Sequence, residues 1–580
     1  MIDRTNRNTA LASALVEELG RCGVRHAVLS PGSRSSPLAL ALDREPGIEL
    51  TMVLDERSAG FVALGAALAS GTPAVVGCTS GSAAANLHPA VVEADLAGVP
   101  LLLLTSDRPP ELRDVGAGQT IDQIKLYGSS VRWFCEVGTH EADDDGLLHL
   151  RGSACRAVGE ATAGRGPVHL NLSWRDPLGP EPRPDDVTAA DSLALGGRAP
   201  DRPLTMPVPG STPSEALLEA AAEAFSAAER PLIVAGRTPD PEVACAVAGL
   251  AASLGAPLLA DTTSQLRFGA RGTPPVVAAY DLILREAPAD LDPDLVIRFG
   301  DMPASKALQA WLGRTGGPDQ IIVDPPGGWN EPTRRARAVL SADAAHLATD
   351  VAERMSASAP QAWSTRWAEA EERAQASIDA VLGEQDRLTE PGIARSLSGL
   401  PAAGDQLLLA SSMPIRDAEA FTRGGAQAVR VFANRGANGI DGLISTAAGL
   451  TRGANAPAWI VLGDLALAHD LGGLAALRQS PRPVRVVLVD NGGGRIFEFL
   501  PQASQVDAAR FEELFITPSQ LEPERVAGLF GLDYVQVDSP GKLAVEADAP
   551  DTLLHVPVDP SGNVELHRRI AAQVAEAVGG

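Results

Sequence analysis

The chain has 580 residues and a formal net charge of −25, and its composition is 45 % hydrophobic and 21 % charged. This balance is typical of globular proteins, and the length suits about three domains. An acidic protein repels phosphate backbones and anionic membrane surfaces, which argues against nucleic acid or membrane partners. Any anionic ligand therefore needs local cations, and these must be mostly arginines because lysine occurs only at positions 125, 306 and 542.

The cysteines and the N-terminal segment predict a cytoplasmic protein. No two cysteines form a C-x-x-C pair, so we expect reduced, buried thiols rather than disulfides or a zinc site. They are Cys22, Cys78, Cys135, Cys155 and Cys245. The first twenty residues lack the apolar core of a signal peptide, and no apolar run reaches the ~20 residues of a membrane helix.

Short apolar runs alternate with helical patterns along the whole chain, which is typical of parallel sheets covered by helices. The first third predicts strands at 26–30, 50–54, 74–78, 101–105 and 168–172, and residues 176–203, rich in proline and aspartate, predict a linker. The middle third predicts strands at 231–237, 256–261, 294–301 and 320–324, followed by a charged helix over 361–382. The last third predicts strands at 406–410, 429–432, 458–462, 484–489, 534–537 and 553–556.

The predicted fold is therefore α/β, with three parallel-sheet domains over residues 1–185, 190–360 and 385–580. Ligands of open α/β sheets bind beyond the carboxyl ends of the strands. The segments that follow the predicted strands are where functional residues are expected.

The strongest local motif lies in the last domain. Gly463 and Asp464 follow one predicted strand, and Asn491 follows the next, ahead of three glycines. Carboxylate, amide and main-chain oxygens, the last offered by Gly493, suit Mg²⁺ held together with phosphates. Turns after strands also use Gly, Asp and Asn, so the motif alone leaves an ordinary pair of turns open.

This spacing resembles the diphosphate-binding motif of thiamine diphosphate (ThDP) enzymes. Such enzymes also have a glutamate that follows a strand in a separate pyrimidine-binding domain. Glu56 has that place, between the strand over 50–54 and an alanine-rich helix. A glutamate at the start of a helix is also favoured by the helix dipole alone. The resemblance implies that Glu56 contacts the cofactor pyrimidine and promotes its reactive tautomer.

Further motifs narrow the resemblance to one family. They are SPGSRSSP (30–37), TSDRP (105–109), Gln119, SSMPIRD (411–417), NRGANGIDG (434–442) and IFEFLP (496–501). Together they resemble the 2-succinyl-5-enolpyruvyl-6-hydroxy-3-cyclohexene-1-carboxylate (SEPHCHC) synthase, or MenD, family of menaquinone biosynthesis, over nearly the whole chain. The three domains would then bind the pyrimidine, occupy the centre and bind the diphosphate, in that order.

The resemblance implies a transferase that decarboxylates 2-oxoglutarate on ThDP with Mg²⁺ or Mn²⁺ and adds the product to isochorismate. It also implies a homodimer or homotetramer in which Glu56 and Asp464 of one active site come from different subunits. The implied metal ligands are Asp464, Asn491 and the Gly493 carbonyl. The implied cofactor contacts are Ser33, Glu56, Thr79, Ser80, Ser412, Met413, Ile440, Gly463, Asp464, Leu465, Asn491, Gly493, Gly494, Ile496 and Phe497.

The implied substrate contacts are mainly arginines, as two dianionic substrates require. The implied catalytic residues besides Glu56 are Arg34, Arg108, Gln119, Arg416 and Arg435, all of which also bind substrate. The remaining implied substrate contacts are Ser33, Lys306, Ser412, Phe497 and Leu500. Lys306 lacks the second cation that the family carries in its middle domain. Each arginine taken singly also suits a surface salt bridge, and Phe497, Ile496 and Leu500 also suit a plain core.

Two other functions stay open at this stage. One is a ThDP carboligase or decarboxylase that acts on pyruvate, such as an acetolactate synthase-like enzyme, and the other is a non-catalytic relative that binds ThDP. Glu56 argues against the second, because binding alone does not require a proton-relay carboxylate. The sequence contains no complete G-x-G-x-x-G, P-loop or H-E-x-x-H motif.

Overall fold

The computed structural model describes residues 2–198, 202–206, 212–269, 276–286, 288–325, 327–543 and 549–579. The described strands form three six-stranded sheets. Paired strands run parallel in each of them, as do His26–Leu29 and Glu49–Met52, Pro231–Ala235 and Leu295–Phe299, and Val484–Asp490 and Thr552–Pro557. Helices precede, separate and follow the strands, which confirms the predicted α/β class.

The first sheet has the strand order β2-β1-β3-β4-β6-β5. Its strands are β1 (His26–Leu29), β2 (Glu49–Met52), β3 (Ala74–Cys78), β4 (Leu101–Asp107), β5 (Trp133–Gly138) and β6 (Val168–Ser173). Its helices are α1 (Arg7–Arg21), α2 (Ser36–Arg44), α3 (Glu56–Ser70), α4 (Ser82–Asn86), α5 (His88–Ala97), α6 (Asp144–Ala163) and α7 (Ser192–Gly196), with 3₁₀ turns at Pro110–Leu112 and Pro184–Asp186. β5 was not predicted and lies at the edge of the sheet.

The segment predicted as a linker packs on this first sheet and its helices. Val187 forms an isolated bridge with Ala142, and both residues are buried. The Asn8 side chain donates to the Arg175 and Pro177 carbonyls. The predicted linker over 176–203 therefore makes ordered contacts in its described part; residues 199–201 lie outside the described residues.

The second sheet has the order β12-β11-β10-β7-β8-β9. Its strands are β7 (Pro231–Ala235), β8 (Leu258–Ala260), β9 (Val276–Val277), β10 (Leu295–Phe299), β11 (Asp319–Asp324) and β12 (Ala336–Ser341). Its helices are α8 (Glu215–Ser226), α9 (Pro241–Leu254), α10 (Tyr280–Ile283), α11 (Lys306–Gly313) and α12 (Ala344–Arg354), with 3₁₀ turns at Leu284–Glu286 and Ala289–Leu291. The sequence did not predict β9 and β12, which form the two edges.

The third sheet has the order β14-β13-β15-β16-β18-β17. Its strands are β13 (Gln406–Leu409), β14 (Arg430–Phe432), β15 (Ala458–Gly463), β16 (Val484–Asp490), β17 (Asp533–Gln536) and β18 (Thr552–Pro557). The longer helices in the last part of the chain are α13 (Gln361–Gly383), α14 (Glu390–Ser396), α15 (Met413–Phe421), α16 (Leu443–Ala454), α17 (Asp464–His469), α18 (Leu471–Leu477), α21 (Pro523–Phe530) and α22 (Asn563–Gly579). Shorter turns are α19 (Gln502–Gln505), α20 (Ala508–Phe511), the 3₁₀ turns Arg495–Phe499 and Pro540–Leu543, and the π-helical turn Glu512–Ile516. β13, β15 and β16 are neighbours, so the residues that follow them share one edge of the sheet.

By mutual contacts the chain forms two compact units. One comprises Met1–Gly210, Asn434–Ala458 and His469–Val484, and the other comprises Ser211–Ala433, Trp459–Ala468 and Arg485–Gly580. In the first unit α3 lies against α16, and α3 is buried at every position from Ser58 to Ala69. This explains why the sequence there carries no charge, as expected for a buried helix.

The cysteines only partly match the prediction. All five are free thiols, and Cys78 and Cys155 are buried. Cys245 is exposed on α9, which corrects the expectation of uniformly buried thiols. Cys22 Sγ and Cys155 Sγ lie 3.7 Å apart, near the buried Glu18. No helix in the described ranges is long and apolar enough to cross a membrane.

Candidate functional site

The carboxyl ends of β15 and β16 bring two oxygen-bearing side chains to one edge of the third sheet. β15 ends at Gly463 and α17 begins at Asp464, while β16 ends at Asp490 and is followed by Asn491. The two strands are neighbours in the sheet, as the spacing of the motif predicts. The structure therefore brings the Gly-Asp and Asn elements of the motif to adjacent strand ends.

Asp464 is an almost buried carboxylate with few partners. Ser519 Oγ donates to Asp464 Oδ2 at 3.3 Å. Burial raises the pKa of Asp464, and the nearby charge of Asp490 adds to that rise. A bound cation would offset both effects, because it favours the ionised carboxylate.

The Asn491 side chain has one satisfied end and one unsatisfied end. Its Nδ2 donates to Glu390 Oε1 at 2.7 Å, whereas its Oδ1 is buried and has no hydrogen-bond partner among the described residues. A buried oxygen without a partner costs free energy unless a ligand completes it. The chemistry of this atom fits a hard cation such as Mg²⁺.

The glycines after Asn491 bring the main chain close to a neighbouring turn. A Cβ on Gly493 would lie 2.4 Å from the Ile516 carbonyl oxygen, and Gly493 has φ +129°, so only glycine fits here. The Gly493 carbonyl accepts from Arg495 N at 2.9 Å and keeps a second lone pair for another ligand. The donor set of Asp464, Asn491 and Gly493 thus consists of oxygens alone and fits Mg²⁺ or Mn²⁺.

The end of β13 adds the predicted segment 411–416 to the same sheet edge. Ser412 caps α15, and its side chain makes no capping hydrogen bond, while Met413 is buried. Arg416 Nη1 donates to the Ser411 and Ser412 carbonyls at 3.3 and 2.6 Å, so this guanidinium lies at the start of its own helix. Leu465 follows Asp464 in α17.

Glu56 lies at a strand end of the first sheet. It is the first residue of α3, after Asp55, whose side chain caps the helix by accepting from Arg57 N. The Glu56 side chain is half-buried, and Asn86 Nδ2 lies 3.5 Å from its Oε2. The carboxylate is thus placed by a capped helix start, as predicted.

Four neighbouring strands of the first sheet bring most of the other predicted residues to one edge. Arg34 is buried and donates through Nη1 to the Trp174 carbonyl at 2.8 Å, while its buried Nε has no hydrogen-bond partner in the described part of the chain. Burial lowers the pKa of Arg34, and the positive charge of Arg108 lowers it further. Two guanidinium groups near each other favour an anion between or beside them.

Ser80 links Arg108 to Gln119. Its Oγ accepts from Arg108 Nη1 and donates to the Gln119 carbonyl at 3.0 Å, and Gln119 Nε2 returns a bond to the Ser80 carbonyl. Thr79 is buried, and a Cβ on Gly32 would lie 2.3 Å from Thr79 Cβ, which brings the loop that carries Ser33 close to β3. Ser33 itself is exposed.

The NRGANGIDG segment is held by a residue that the sequence did not single out. Glu93 on α5 accepts from the main-chain N–H of Gly436 and Ala437 at 2.8 and 2.6 Å. Both partners belong to the first compact unit. Arg435 and Ile440, predicted to contact substrate and cofactor, are half-buried in this segment.

The remaining predicted residues are more open. Phe497 is 36 % exposed and its ring meets the edge of Phe515, while Ile496 and Leu500 are half-buried. Gly494 N donates to the Ile516 carbonyl beneath this group. Lys306 is exposed at the start of α11, and the contacts found among the described residues do not join it to the ends of β13, β15 and β16.

Sequence reasoning missed Glu390 and Ser519, which touch Asn491 and Asp464. Glu390 opens α14 and is only 3 % exposed, and burial together with Asp417 raises its pKa to about 7. From the sequence alone, Glu390 cannot be distinguished from any acidic residue at a helix start. The distance of 101 residues to Asn491 leaves no local signal of their contact.

Two family models of thiamine pyrophosphate enzymes and a solved structure are similar to this chain. Residues 9–126 match a family model described as the N-terminal TPP binding domain of thiamine pyrophosphate enzymes, and residues 210–409 match one described as the middle domain of thiamine pyrophosphate. A solved structure of benzoylformate decarboxylase from Polynucleobacter necessarius is similar with a TM-score of 0.69 and 17 % identity, over 95 % of this chain and 99 % of that one. That likeness concerns the fold alone.

Curated relatives are similar over most or nearly all of their length. A 2-succinyl-5-enolpyruvyl-6-hydroxy-3-cyclohexene-1-carboxylate synthase of Myxococcus xanthus is 42 % identical and covers 100 % of this chain and 99 % of its own. The Geobacillus kaustophilus protein of the same name is 45 % identical, over 90 % of this chain and 89 % of its own. That of Haloarcula marismortui is 40 % identical, over 99 % of each chain.

Proposed function

This chain belongs to the SEPHCHC synthase family, and on that basis we propose that it is a ThDP-dependent transferase of menaquinone biosynthesis. In the proposed reaction 2-oxoglutarate loses carbon dioxide, and the remaining four-carbon unit is added to isochorismate to give SEPHCHC. The observation that carries the proposal is the buried Asn491 Oδ1 at the strand end next to Asp464, an atom for which the described ranges contain no hydrogen-bond partner.

Asp464, Asn491 and the Gly493 carbonyl would hold Mg²⁺ or Mn²⁺, and the metal would hold the cofactor diphosphate. The main chain at Gly463–Leu465 and at Gly493–Gly494, with Ser412 and Met413, would enclose the diphosphate. When bound, ThDP supplies the electron sink that makes decarboxylation possible. The half-buried Glu56 would share a proton between its carboxylate and the pyrimidine ring, which is the role that distinguishes catalysis from binding.

The paired guanidinium groups of Arg34 and Arg108 support a dianionic substrate. Arginine stays charged when it is desolvated and binds carboxylates in a bidentate way. Gln119, Arg416, Arg435 and Lys306 would add polar contacts, and Ile496, Phe497 and Leu500 would shield the reacting carbons from water. The remaining walls of the proposed active site would be formed by Ser33, Thr79, Ser80 and Ile440.

We further propose a domain division at 1–185, 190–360 and 385–580 and a homo-oligomer, a dimer or a tetramer. In that assembly Glu56 of one subunit and Asp464 of another would serve one cofactor. A cytoplasmic location stays a prediction from the cysteines and the N-terminal segment.

The test is an assay of the purified full-length chain. We expect isochorismate absorbance to fall only when 2-oxoglutarate, ThDP and Mg²⁺ are all present, with carbon dioxide released in step. Omission of each component in turn is the control, and pyruvate replaces 2-oxoglutarate in a parallel reaction. Turnover of pyruvate with no use of 2-oxoglutarate would contradict the proposal, as would no turnover of either.

A further inference from the structure

The contact between Glu390 and Asn491 determines which end of the asparagine amide is available to a ligand. The structure places the amide nitrogen against Glu390, which in its ionised form only accepts hydrogen bonds. Nδ2 lies 2.7 Å from Glu390 Oε1, and Oδ1 then occupies the other arm of the planar amide, where it is buried and meets no hydrogen-bond partner among the described residues. Rotation of the amide by 180° would put two oxygens against each other, which is unfavourable.

Glu390 is itself held firmly. It is the first residue of α14, which the Thr389 side chain caps by accepting from Gly392 N at 3.2 Å. Ile393 and Ala394 of the same helix are buried, so the helix start is fixed by packing. Glu390 as a whole is 3 % exposed, and its carboxylate also accepts from the Asn563 side chain.

We propose that Glu390 is a positioning residue for the metal ion: it holds the Asn491 amide so that Oδ1, not Nδ2, is presented as a ligand. This inference rests on the proposed function, because it assumes that Asn491 ligates the metal. Glu390 would not contact the ion. It would set the metal affinity through one hydrogen bond, as residues behind metal ligands commonly do.

Two conservative substitutions separate orientation from charge. Glu390→Gln removes the charge but keeps an acceptor oxygen at the same reach. It also fits its surroundings: Asn563 Oδ1 is buried and has no hydrogen-bond partner in the described part of the chain, so it can accept from the new amide once the Asn563 amide rotates by 180°. Glu390→Asp keeps the charge but shortens the side chain by one methylene, which withdraws the acceptor from Asn491.

If Glu390 acts by orienting the Asn491 amide, Glu390→Asp should weaken metal binding by about 10- to 100-fold, whereas Glu390→Gln should change it much less. An electrostatic role predicts the reverse order, since only Gln removes the negative charge. A purely structural role predicts a change in the thermal stability of the metal-free protein with no change in metal affinity.

Asn491→Asp provides the matched background. Both ends of an aspartate side chain are oxygens, so it needs no partner to choose between them. In that background we expect Glu390→Gln to leave metal affinity unchanged or to raise it, because it removes the repulsion between two carboxylates. Glu390→Asp should lose its effect there. The double-mutant cycle isolates the coupling between the two positions.

The measurement is a Mn²⁺ titration of the full-length protein with ThDP present, in which the electron paramagnetic resonance signal reports free Mn²⁺. Thermal unfolding of each metal-free variant shows whether it folds. Equal Mn²⁺ affinity in the wild type and Glu390→Asp, or weaker binding in Glu390→Gln than in Glu390→Asp, would overturn the inference and leave the proposed function standing. A wild-type chain that binds no Mn²⁺ in the presence of ThDP would overturn the proposed metal site itself.

Discussion

Gly449 of α16 faces Gly65 of α3 at backbone contact: a Cβ added to Gly449 would lie 2.9 Å from Gly65 Cα and 2.1 Å from the Val62 carbonyl oxygen. No side-chain rotation relieves such contacts, because the opposing atoms are main chain. We expect Gly449→Ala to push the two helices apart and to destabilise the protein by about 1–3 kcal/mol. A lower midpoint of thermal unfolding would be the measured sign.

Gly152 in α6 is the control for this substitution. A Cβ there would meet no atom of the described residues within 4 Å. Alanine favours helix over glycine by up to about 1 kcal/mol, so Gly152→Ala should raise the midpoint or leave it unchanged. If both variants shift the midpoint of unfolding alike, the close approach of α3 and α16 is not the reason why alanine is unfavourable at position 449.

His567 gives the protein a pH-dependent stability. Burial disfavours its charged form, but the hydrogen bond and charge of Asp417, together with the Asn563 carbonyl and the charge of Glu390, outweigh burial and raise the pKa of His567 above its usual value. The folded state then binds the proton more tightly than the unfolded state. The stabilisation is therefore complete below about pH 6.5 and is lost as pH rises through the folded pKa.

We expect the difference in unfolding midpoint between the wild type and Asp417→Asn to be largest in mildly acidic buffer and to shrink toward alkaline pH. Nuclear magnetic resonance of the His567 ring gives the pKa directly, which should fall in Asp417→Asn. A pKa below 6.5 in the wild type would show that burial prevails over Asp417.

Cys245 should be the most reactive thiol of the folded chain. It is exposed on α9, whereas Cys78 is fully buried and its pKa is raised mainly by that burial. The thiolate is the reactive form, so Cys78 should react with a disulfide reagent only after unfolding. Cys245→Ser should remove the fast phase of modification, and Cys78→Ser should leave it. A fast phase that persists in Cys245→Ser would contradict the assigned exposure.

The strands that the sequence revealed differ physically from those that it did not. Each predicted strand is present, with ends shifted by a few residues, and the interior ones are buried on both faces, so they appear as continuous apolar runs. Trp133–Gly138, Val276–Val277 and Ala336–Ser341 were missed, and all three are edge strands. Ala336–Ser341 has only half-buried or exposed positions, and its pairing contains an irregularity, so its pattern is weak.

The same distinction holds at the candidate site. Asp464 and Asn491 could be placed side by side because each follows an apolar strand, and parallel strands end at one edge. The partners behind them could not: Ser519 and Glu390 reach Asp464 and Asn491 through tertiary packing that no spacing encodes. Lys306 stays a prediction, because a single lysine at a helix start carries no information about what it faces.

Asp464→Ala should abolish Mg²⁺-dependent binding of ThDP, because it removes a charged oxygen from a buried site that Ser519 alone does not complete. Isothermal calorimetry with and without Mg²⁺ measures this directly. Asp490→Asn is the matched control: it removes a carboxylate one residue before Asn491, and Asp490 Oδ2 contacts His555 Nε2 at 2.9 Å. Its effect on ThDP affinity should be much smaller. Unchanged affinity in Asp464→Ala would remove the metal assignment.

Glu56→Gln should bind ThDP and Mg²⁺ almost normally and lose about 10²- to 10⁴-fold in turnover, the range for a lost proton-transfer group. If Glu56 only stabilised α3 through its interaction with the helix dipole, its loss would lower the free energy of unfolding by about 0.3–1 kcal/mol and change the activity little. Asp55→Asn distinguishes these roles, because it removes one charge from the same helix start while asparagine still caps α3 through its side-chain oxygen. Rates of isochorismate consumption at saturating substrate should fall in Glu56→Gln alone. Equal rates in both variants would mean that Glu56 has only a structural role. The residues of the diphosphate site would then have to decide between an enzyme and a protein that only binds ThDP.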